Sequence, residues 1–281
     1  MRKEDFLPKL DVHPFTQLVW NSAEHRKAWE DTVKKGSRVH DNAEYWMVKD
    51  KQRACGTLHI SPMNYDVLFE KLQQDEMHWL PIQRTRNYSG FSHKHFPVDK
   101  MGMDCNVYGV MSTSLEDAED FRAASGDQTG KRLADHKLIA GLLGFPECCG
   151  KFFVDCWPLY FDPVWQSAVA GEHEKINERT IKVSPHISTH QMLRYCGFRV
   201  TSHFPCSLDC EDSIRTGEKW LNTMAKYDPE GTEALIKVLK LPGKWSCKYG
   251  IAVIETEPFT IVTNSLPTKD TWEIIWEGVR E

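Results

Sequence analysis

The stretch Tyr249-Gly-Ile-Ala-Val-Ile254, followed after Glu255-Thr-Glu-Pro258 by Phe259-Thr-Ile-Val-Thr263, decides the class of fold. Both outer runs are rich in β-branched and aromatic residues, and the segment that joins them contains a proline. This pattern is typical of two strands connected as a hairpin. The sequence therefore places a β-hairpin late in the chain.

Upstream of the hairpin, strand-like and helix-like segments alternate. Cys55-Gly-Thr-Leu-His-Ile60 has the composition of a strand, and Ser61-Pro62 after it predicts the start of a helix. A second strand followed by a helix is predicted where the β-prone run 106–112 precedes Ser114-Leu-Glu-Asp117, a helix cap with acids in the first turn. These alternations and the late hairpin predict an α/β or α+β fold with a mixed sheet and helices.

Two regions of the chain are expected to differ in role. Residues 1–100 form an N-terminal α/β region without a recognisable motif, and residues 101–281 carry the cysteine motifs, although one continuous domain fits the length as well. The polar tail after Ser265 is expected to end in a short helix that packs Trp272, Ile275 and Trp276.

Composition limits the cellular setting. The start of the chain lacks the apolar stretch of a secretory signal, and no apolar run approaches the roughly 18 residues of a membrane helix. We therefore expect a cytoplasmic protein without a membrane partner. A net charge of −5 gives no general attraction to nucleic acid, so a small molecule and a nucleic acid both remain open as substrates.

Nine cysteines stand in the chain, and four of them lie in two proline-marked motifs. Pro146 suits the first position of a helix, which puts Glu147, Cys148 and Cys149 in the first turn. In the second motif Cys206 follows a proline, and Cys210 is expected in the first turn of a predicted helix. Helix N-termini stabilise thiolates, which are both metal ligands and nucleophiles.

The spacing of these cysteines predicts a metal site. Cys206 and Cys210 stand four residues apart, so both side chains can reach one centre, and Cys149 adds a third sulfur. Cys148 or His203 is the candidate for the fourth ligand. An iron–sulfur cluster and a zinc ion both fit this set, and spacing alone does not choose between them.

Groups for acid–base and nucleophilic chemistry lie beside the first motif. Asp135, His136 and Glu147 are the candidate proton donors and acceptors, and Cys148 is the candidate nucleophile. The other five cysteines are expected to be structural, and a pair of histidines is expected to be exposed to solvent. Cys55, Cys105, Cys156, Cys196 and Cys247 are expected to be buried, and His186 and His190 to be solvated.

The two motifs resemble an uncharacterised family. The stretch His136-Lys-Leu-Ile-Ala-Gly-Leu-Leu-Gly-Phe-Pro-Glu-Cys-Cys149 and the later His203-Phe-Pro-Cys-Ser-Leu-Asp-Cys210 are similar to a domain of unknown function found chiefly in archaea and bacteria. The resemblance covers about residues 106–225. It implies that Cys148, Cys149, Cys206 and Cys210 act as one unit, and it implies no particular activity.

Three functions follow from these motifs. The leading hypothesis is a metal-dependent enzyme with sulfur-transfer or lyase chemistry at a cysteine-ligated centre. The second is a transferase or hydrolase in which Cys148 or Cys149 is the nucleophile, with His136 or His203 as its base. The third is a zinc-stapled binding module whose segment from His78 to Phe96 contacts nucleic acid or protein. Phosphate-binding glycine loops and serine-nucleophile motifs are absent from the sequence.

Overall fold

The computed structural model describes residues 15–86, 105–126, 133–156, 163–265 and 268–281. In these ranges the helices are α1 Ala23–Lys49, α2 Tyr65–Gln74, α3 Leu115–Ala124, α4 His136–Leu142, α5 Glu147–Cys156, α6 Pro163–Ala170, α7 Glu211–Tyr227 and α8 Pro229–Leu239. The strands are β1 Thr16–Trp20, β2 Cys55–Ile60, β3 His78–Arg86, β4 Cys105–Ser112, β5 His173–Lys175, β6 Thr180–Val183, β7 Gly243–Lys248, β8 Ile251–Thr256, β9 Phe259–Asn264 and β10 Trp272–Trp276.

The described residues form two compact units. Of the described residues, one unit contains 43–86, 105–126 and 133–150 and a sheet of three strands, and the other contains 15–42, 151–156, 163–265 and 268–281 and a sheet of seven strands. The unit boundaries fall inside helices α1 and α5. These units differ from the sequence regions 1–100 and 101–281, whose separate roles stay a prediction.

The three-stranded sheet is antiparallel, in the order β2-β4-β3. Met111 of β4 packs with Tyr45, Val48, Leu72 and Met77 in one buried cluster. Val110 packs in a second cluster with Cys55, Ala118 and Phe121, which the side chains of α4 join. Because neighbouring residues of a strand point to opposite faces, β4 contributes to a core on each face of its sheet.

The seven-stranded sheet has the order β1-β9-β8-β7-β10-β6-β5. Strands β10 and β6 are parallel, and the other neighbours are antiparallel. The adjacent strands β8 and β9 are the predicted late hairpin, with Ile254 opposite Ile261. The predicted α/β fold with a mixed sheet and helices is therefore confirmed.

The predicted helix near the end of the chain is wrong, because Trp272, Ile275 and Trp276 belong to strand β10. Buried and half-buried residues alternate along β10, which is the two-residue period of a strand. Trp276 is fully buried and donates a hydrogen bond from Nε1 to the Leu241 carbonyl oxygen at 2.7 Å. Aromatic and β-branched residues in this short run favour the strand over a helix.

The segment from His78 to Phe96, which was expected to contact a partner, is only partly described. Residues 78–86 form strand β3 and pair with β4, with a register shift between Pro81 and Gln83. Residues 87–96 of the predicted partner segment lie outside the described residues. The partner role of the segment stays a prediction.

Helix α1 approaches α8 at Gly36, where the two backbones are close. A Cβ atom at position 36 would lie 2.9 Å from the Leu235 nitrogen and 3.0 Å from its Cα. We expect Gly36→Ala to lower the free energy of unfolding by about 1–3 kcal/mol, the usual cost of overpacking. Urea unfolding of the purified protein measures this change.

Gly141 of helix α4 is the matched control for this substitution. Among the described residues, no atom beyond its chain neighbours and the helix's own backbone lies within 4 Å of a Cβ built there. Gly141→Ala is expected to stabilise the protein by roughly 0.5–1 kcal/mol, because alanine favours helices more than glycine does. Equal effects of the two alanines would contradict the close contact at Gly36.

Candidate metal centre

The first cysteine pair is placed by the turn between helices α4 and α5. Gly144 has a φ of +66°, a conformation that glycine adopts readily, and it reverses the chain after α4. Pro146 then opens α5, and its carbonyl oxygen accepts hydrogen bonds from the amides of Cys149 and Gly150 at 3.0 and 2.9 Å. Cys148 and Cys149 therefore lie in the first turn of α5, as the proline predicted.

The second pair is held in a tightly bonded loop before helix α7. The Leu208 amide donates to the Ser167 carbonyl oxygen of α6 at 3.2 Å, and the Leu208 carbonyl oxygen accepts from Thr189 Oγ1 at 2.6 Å. Cys210 is the N-cap residue of α7 and stands one position before the helix rather than in its first turn. Hydrogen bonds to both the amide and the carbonyl group of Leu208 thus fix the loop between Cys206 and Cys210.

Asp209 anchors this loop. Its carboxylate accepts a hydrogen bond from the Glu172 amide at 2.6 Å and pairs with the Arg280 guanidinium. A Cβ on Gly171 would come within 2.5 Å of Asp209 Oδ2, so only glycine leaves room for the carboxylate. The side chain is engaged in holding the loop that carries the two cysteines.

The four motif cysteines come together. The sulfur atoms of Cys148, Cys149, Cys206 and Cys210 all lie within 4.8 Å of one another, a separation at which they can hold a metal. The sulfur atoms of the adjacent pair Cys148 and Cys149 are 3.8 Å apart. Cys149 and Cys210 are buried, Cys206 is half-buried and Cys148 is the most exposed of the four.

His203, the alternative fourth ligand, has a different partner. Its side chain is buried, and Nε2 lies 2.8 Å from Ser213 Oγ on helix α7. The sequence left the fourth ligand open between Cys148 and His203, and the four-cysteine group contains Cys148. A ligand role for His203 stays a prediction.

The predicted acid–base residues lie at two helix starts. Asp135 caps α4 and accepts a hydrogen bond from the Leu138 amide at 3.0 Å, and His136 is the exposed first residue of that helix. Glu147 is the exposed first residue of α5, next to Cys148. The catalytic roles assigned to these three residues and to Cys148 stay predictions.

Arg194 is a structural residue of the second motif that the sequence did not reveal. Its guanidinium donates to the carbonyl oxygens of Ser202 and His203 at 3.2 and 3.5 Å and lies 3.6 Å from the centre of the Phe204 ring. These contacts fix the turn that leads to Cys206. No spacing rule indicates such a residue, because the groups that accept its hydrogen bonds in this turn are main-chain carbonyl oxygens.

The expectation that His186 and His190 are solvated is wrong for His190. Its side chain is fully buried, and its ring lies edge-on to Trp276 with 5.4 Å between ring centres. Burial lowers the pKa of His190 to about 3. His186 is half-buried, and its Nδ1 accepts a hydrogen bond from the Ser188 amide.

The remaining cysteines behave as packing residues. Cys55, Cys105 and Cys247 are buried, as predicted, whereas Cys156 and Cys196 are only half-buried. Burial raises the thiol pKa of Cys55 and of Cys156 to about 11 and that of Cys196 to about 12. These thiols are therefore poor nucleophiles at neutral pH.

Comparisons with known proteins identify no relative of this chain. No protein-family model, no curated protein and no solved structure matches the chain. The resemblance of the two cysteine motifs to an uncharacterised family stays a proposal. Among the helices in the described ranges, none has the length and apolar character needed to cross a bilayer.

Proposed function

We propose that this protein is a zinc-dependent enzyme whose metal centre consists of Cys148, Cys149, Cys206 and Cys210. The observation that supports the proposal is the mutual separation of the four sulfur atoms, which is at most 4.8 Å. Zinc binds thiolates at about 2.3 Å in a tetrahedron, which places neighbouring sulfur atoms about 3.8 Å apart. The 3.8 Å between Cys148 and Cys149 equals this value.

The same distances favour one ion over an iron–sulfur cluster. In a four-iron cluster each thiolate binds a different iron atom, so the four sulfur atoms lie farther apart than the ligands of a single ion. The compact set of cysteines therefore supports zinc as the cofactor. Iron–sulfur chemistry, with lyase or sulfur-transfer activity, is the alternative that the metal analysis below tests.

A zinc-stapled binding module is the second candidate function. Four cysteines are the usual ligand set of structural zinc, and two of the four are buried. The exposed position of Cys148 supports the enzyme instead, since a purely structural site has no need of a ligand that solvent can reach. In the module, metal removal would unfold the protein without removing any turnover.

Metal analysis of the purified protein tests the proposal. The protein is expressed with added zinc or iron and purified without oxygen, beside the double variant Cys206→Ala, Cys210→Ala. We expect about one zinc per chain in the wild type, no visible absorption, and loss of the zinc in the variant.

Three results would contradict the zinc site. A brown protein with several irons per chain would replace zinc by a cluster and redirect the search to lyase and sulfur-transfer substrates. Absence of both metals from the wild type would overturn the metal site and leave the metal-free cysteine nucleophile as the surviving enzyme hypothesis. Zinc that persists in the double variant would show binding elsewhere in the chain.

A further inference from the structure

We infer that Cys148 is an alkyl-accepting nucleophile, activated by the same zinc ion that Cys149, Cys206 and Cys210 hold in place. The inference rests on the proposed zinc centre and names its reactive atom and its class of substrate. The substrates are compounds that carry a transferable alkyl group on a good leaving group.

The first support is the unequal exposure of the four thiols. Cys149 has 2% and Cys210 has 9% of its surface exposed, and Cys206 is half-buried. Cys148 is exposed, although it neighbours Cys149 in the same helical turn. Cys148 is therefore the residue of the four that solvent reaches most easily, and we take its sulfur as the one that an electrophile attacks while the other three keep the metal bound.

The second support is charge. Four thiolates around a divalent ion leave the centre with a net charge of −2, and the acidic residue Glu147 stands beside Cys148 at the start of α5. Excess negative charge increases the electron density on sulfur, and metal coordination keeps a thiol deprotonated at neutral pH. Both effects make the accessible sulfur nucleophilic.

The reaction that this arrangement allows is alkyl transfer. The Cys148 sulfur attacks a saturated carbon, a sulfur–carbon bond forms, and the bond from carbon to the leaving group breaks. The leaving group departs with the electron pair and takes a proton from water when it is basic. No atom is oxidised or reduced, and the centre changes from a net charge of −2 to −1, because a thiolate has become a neutral thioether.

The third support is the contrast with Cys156 on the same helix. Cys156 lies seven residues after Cys149, outside the four-cysteine group, and is half-buried. Burial raises its thiol pKa to about 11, so it is almost fully protonated at neutral pH. One helix thus carries a candidate activated sulfur and an inactive reference thiol.

Alkylation of the zinc-loaded protein tests the inference. The full chain is treated at pH 7 with less than one equivalent of iodoacetamide, and peptide mass spectrometry locates the label while zinc is measured in the same sample. We expect Cys148 to be labelled about 30-fold faster than a typical protein thiol, since a thiol of pKa about 8.5 is only about 3% thiolate at pH 7. Zinc should stay bound after this first alkylation.

Two variants and a zinc-free sample complete the experiment. Cys148→Ser should remove the fast labelling, and Cys156→Ser should leave it unchanged. Removal of zinc with a chelator should slow the labelling of Cys148 toward that of an ordinary thiol. Equal rates with and without zinc, equal labelling of all four cysteines, or ejection of zinc by the first alkyl group would each overturn the inference.

The outcomes separate the inference from the proposed function. Zinc-loaded protein whose Cys148 reacts slowly would refute the nucleophile and leave the zinc centre intact. A wild-type protein that binds no zinc would refute the proposed centre itself, and the inference with it.

Discussion

Loss of Cys210 is expected to remove the metal and to destabilise the protein more than any other single change that we predict. Cys210 occupies the N-cap position of helix α7 and contributes a buried sulfur to the four-cysteine group. Structural zinc sites in small peptides bind with about 10–16 kcal/mol, and much of this free energy becomes folding free energy. This free energy is similar in size to the total stability of a typical domain, which is about 5–15 kcal/mol.

We expect Cys210→Ala to lower the free energy of unfolding by at least about 4 kcal/mol at 1,000-fold excess of zinc over its dissociation constant, which is the linkage value for one lost site. Denaturant unfolding at fixed free zinc measures the loss. A chelator should lower the wild-type stability by a similar amount and should have little effect on the variant, because its site is already lost.

Cys247→Ala is the matched control. Cys247 is buried in strand β7, with 1% of its surface exposed, and it lies outside the metal group. Its replacement removes one buried thiol and should cost roughly 1–2 kcal/mol without any dependence on zinc. If both variants lose the same stability and respond equally to the chelator, Cys210 does not bind the metal.

The local signals of the candidate site could be predicted from the sequence. Pro146 correctly predicted that Cys148 and Cys149 lie in the first turn of a helix, because the fixed φ of proline suits the start of a helix. Ser114 was likewise recognised as a cap, and its Oγ accepts from the Asp117 amide. These predictions succeeded because each depends on residues within one turn of the chain.

The late strand and the buried histidine could not be predicted in this way. Strand β10 is stabilised by pairing with β7 and β6, whose paired residues lie 25 to 33 and 93 positions earlier in the chain. A short run such as Trp272–Trp276 satisfies both a helical and a strand pattern, so only the distant partners decide. His190 follows a serine and a threonine that suggest a loop, yet Trp276 and the surrounding core enclose it.

The choice of ligands was limited by the same lack of distant information. The spacing of Cys206 and Cys210 suggested a shared centre, but the fourth position stayed open between Cys148 and His203. The structure places Cys148 in the group and pairs His203 with Ser213. Ligand identity depends on how separate turns meet, and no local pattern in the sequence reports that.

Acid is expected to destabilise this protein through His190. Burial lowers the pKa of His190 to about 3, whereas the ring titrates near 6.5 in the unfolded chain. Between these two pH values the ring is therefore protonated in the unfolded state and neutral in the folded state. Stability is complete above pH 6.5 and falls as the pH drops toward 3, by about 1.4 kcal/mol per pH unit for this one group.

His40 acts in the same direction. It is buried and stacked on Trp220, and burial, followed by the charges of Arg199 and Arg194, lowers its pKa well below the usual value. Both histidines must gain protons when the protein unfolds in acid. The separate contribution of His190 is therefore measured best as a difference between variant and wild type.

The substitution that isolates this effect is His190→Leu. Neither ring nitrogen of His190 has a hydrogen-bond partner among the described residues, so an apolar side chain of similar size removes no hydrogen bond within them. We expect the variant to be within about 1.5 kcal/mol of the wild type at pH 7. By pH 4 its stability relative to the wild type should have risen by roughly 3 kcal/mol.

Urea unfolding at pH 7, 6, 5 and 4 gives this difference directly, and contributions from carboxylates and from metal ligands cancel because both proteins share them. His173→Leu is the control, since His173 lies exposed on the short edge strand β5 and leaves the buried rings unchanged. Parallel stability curves for His190→Leu and wild type would show that His190 takes up no extra proton on unfolding. A gap that widens only below pH 6.5 would show that its burial in the neutral form makes the folded protein acid-sensitive.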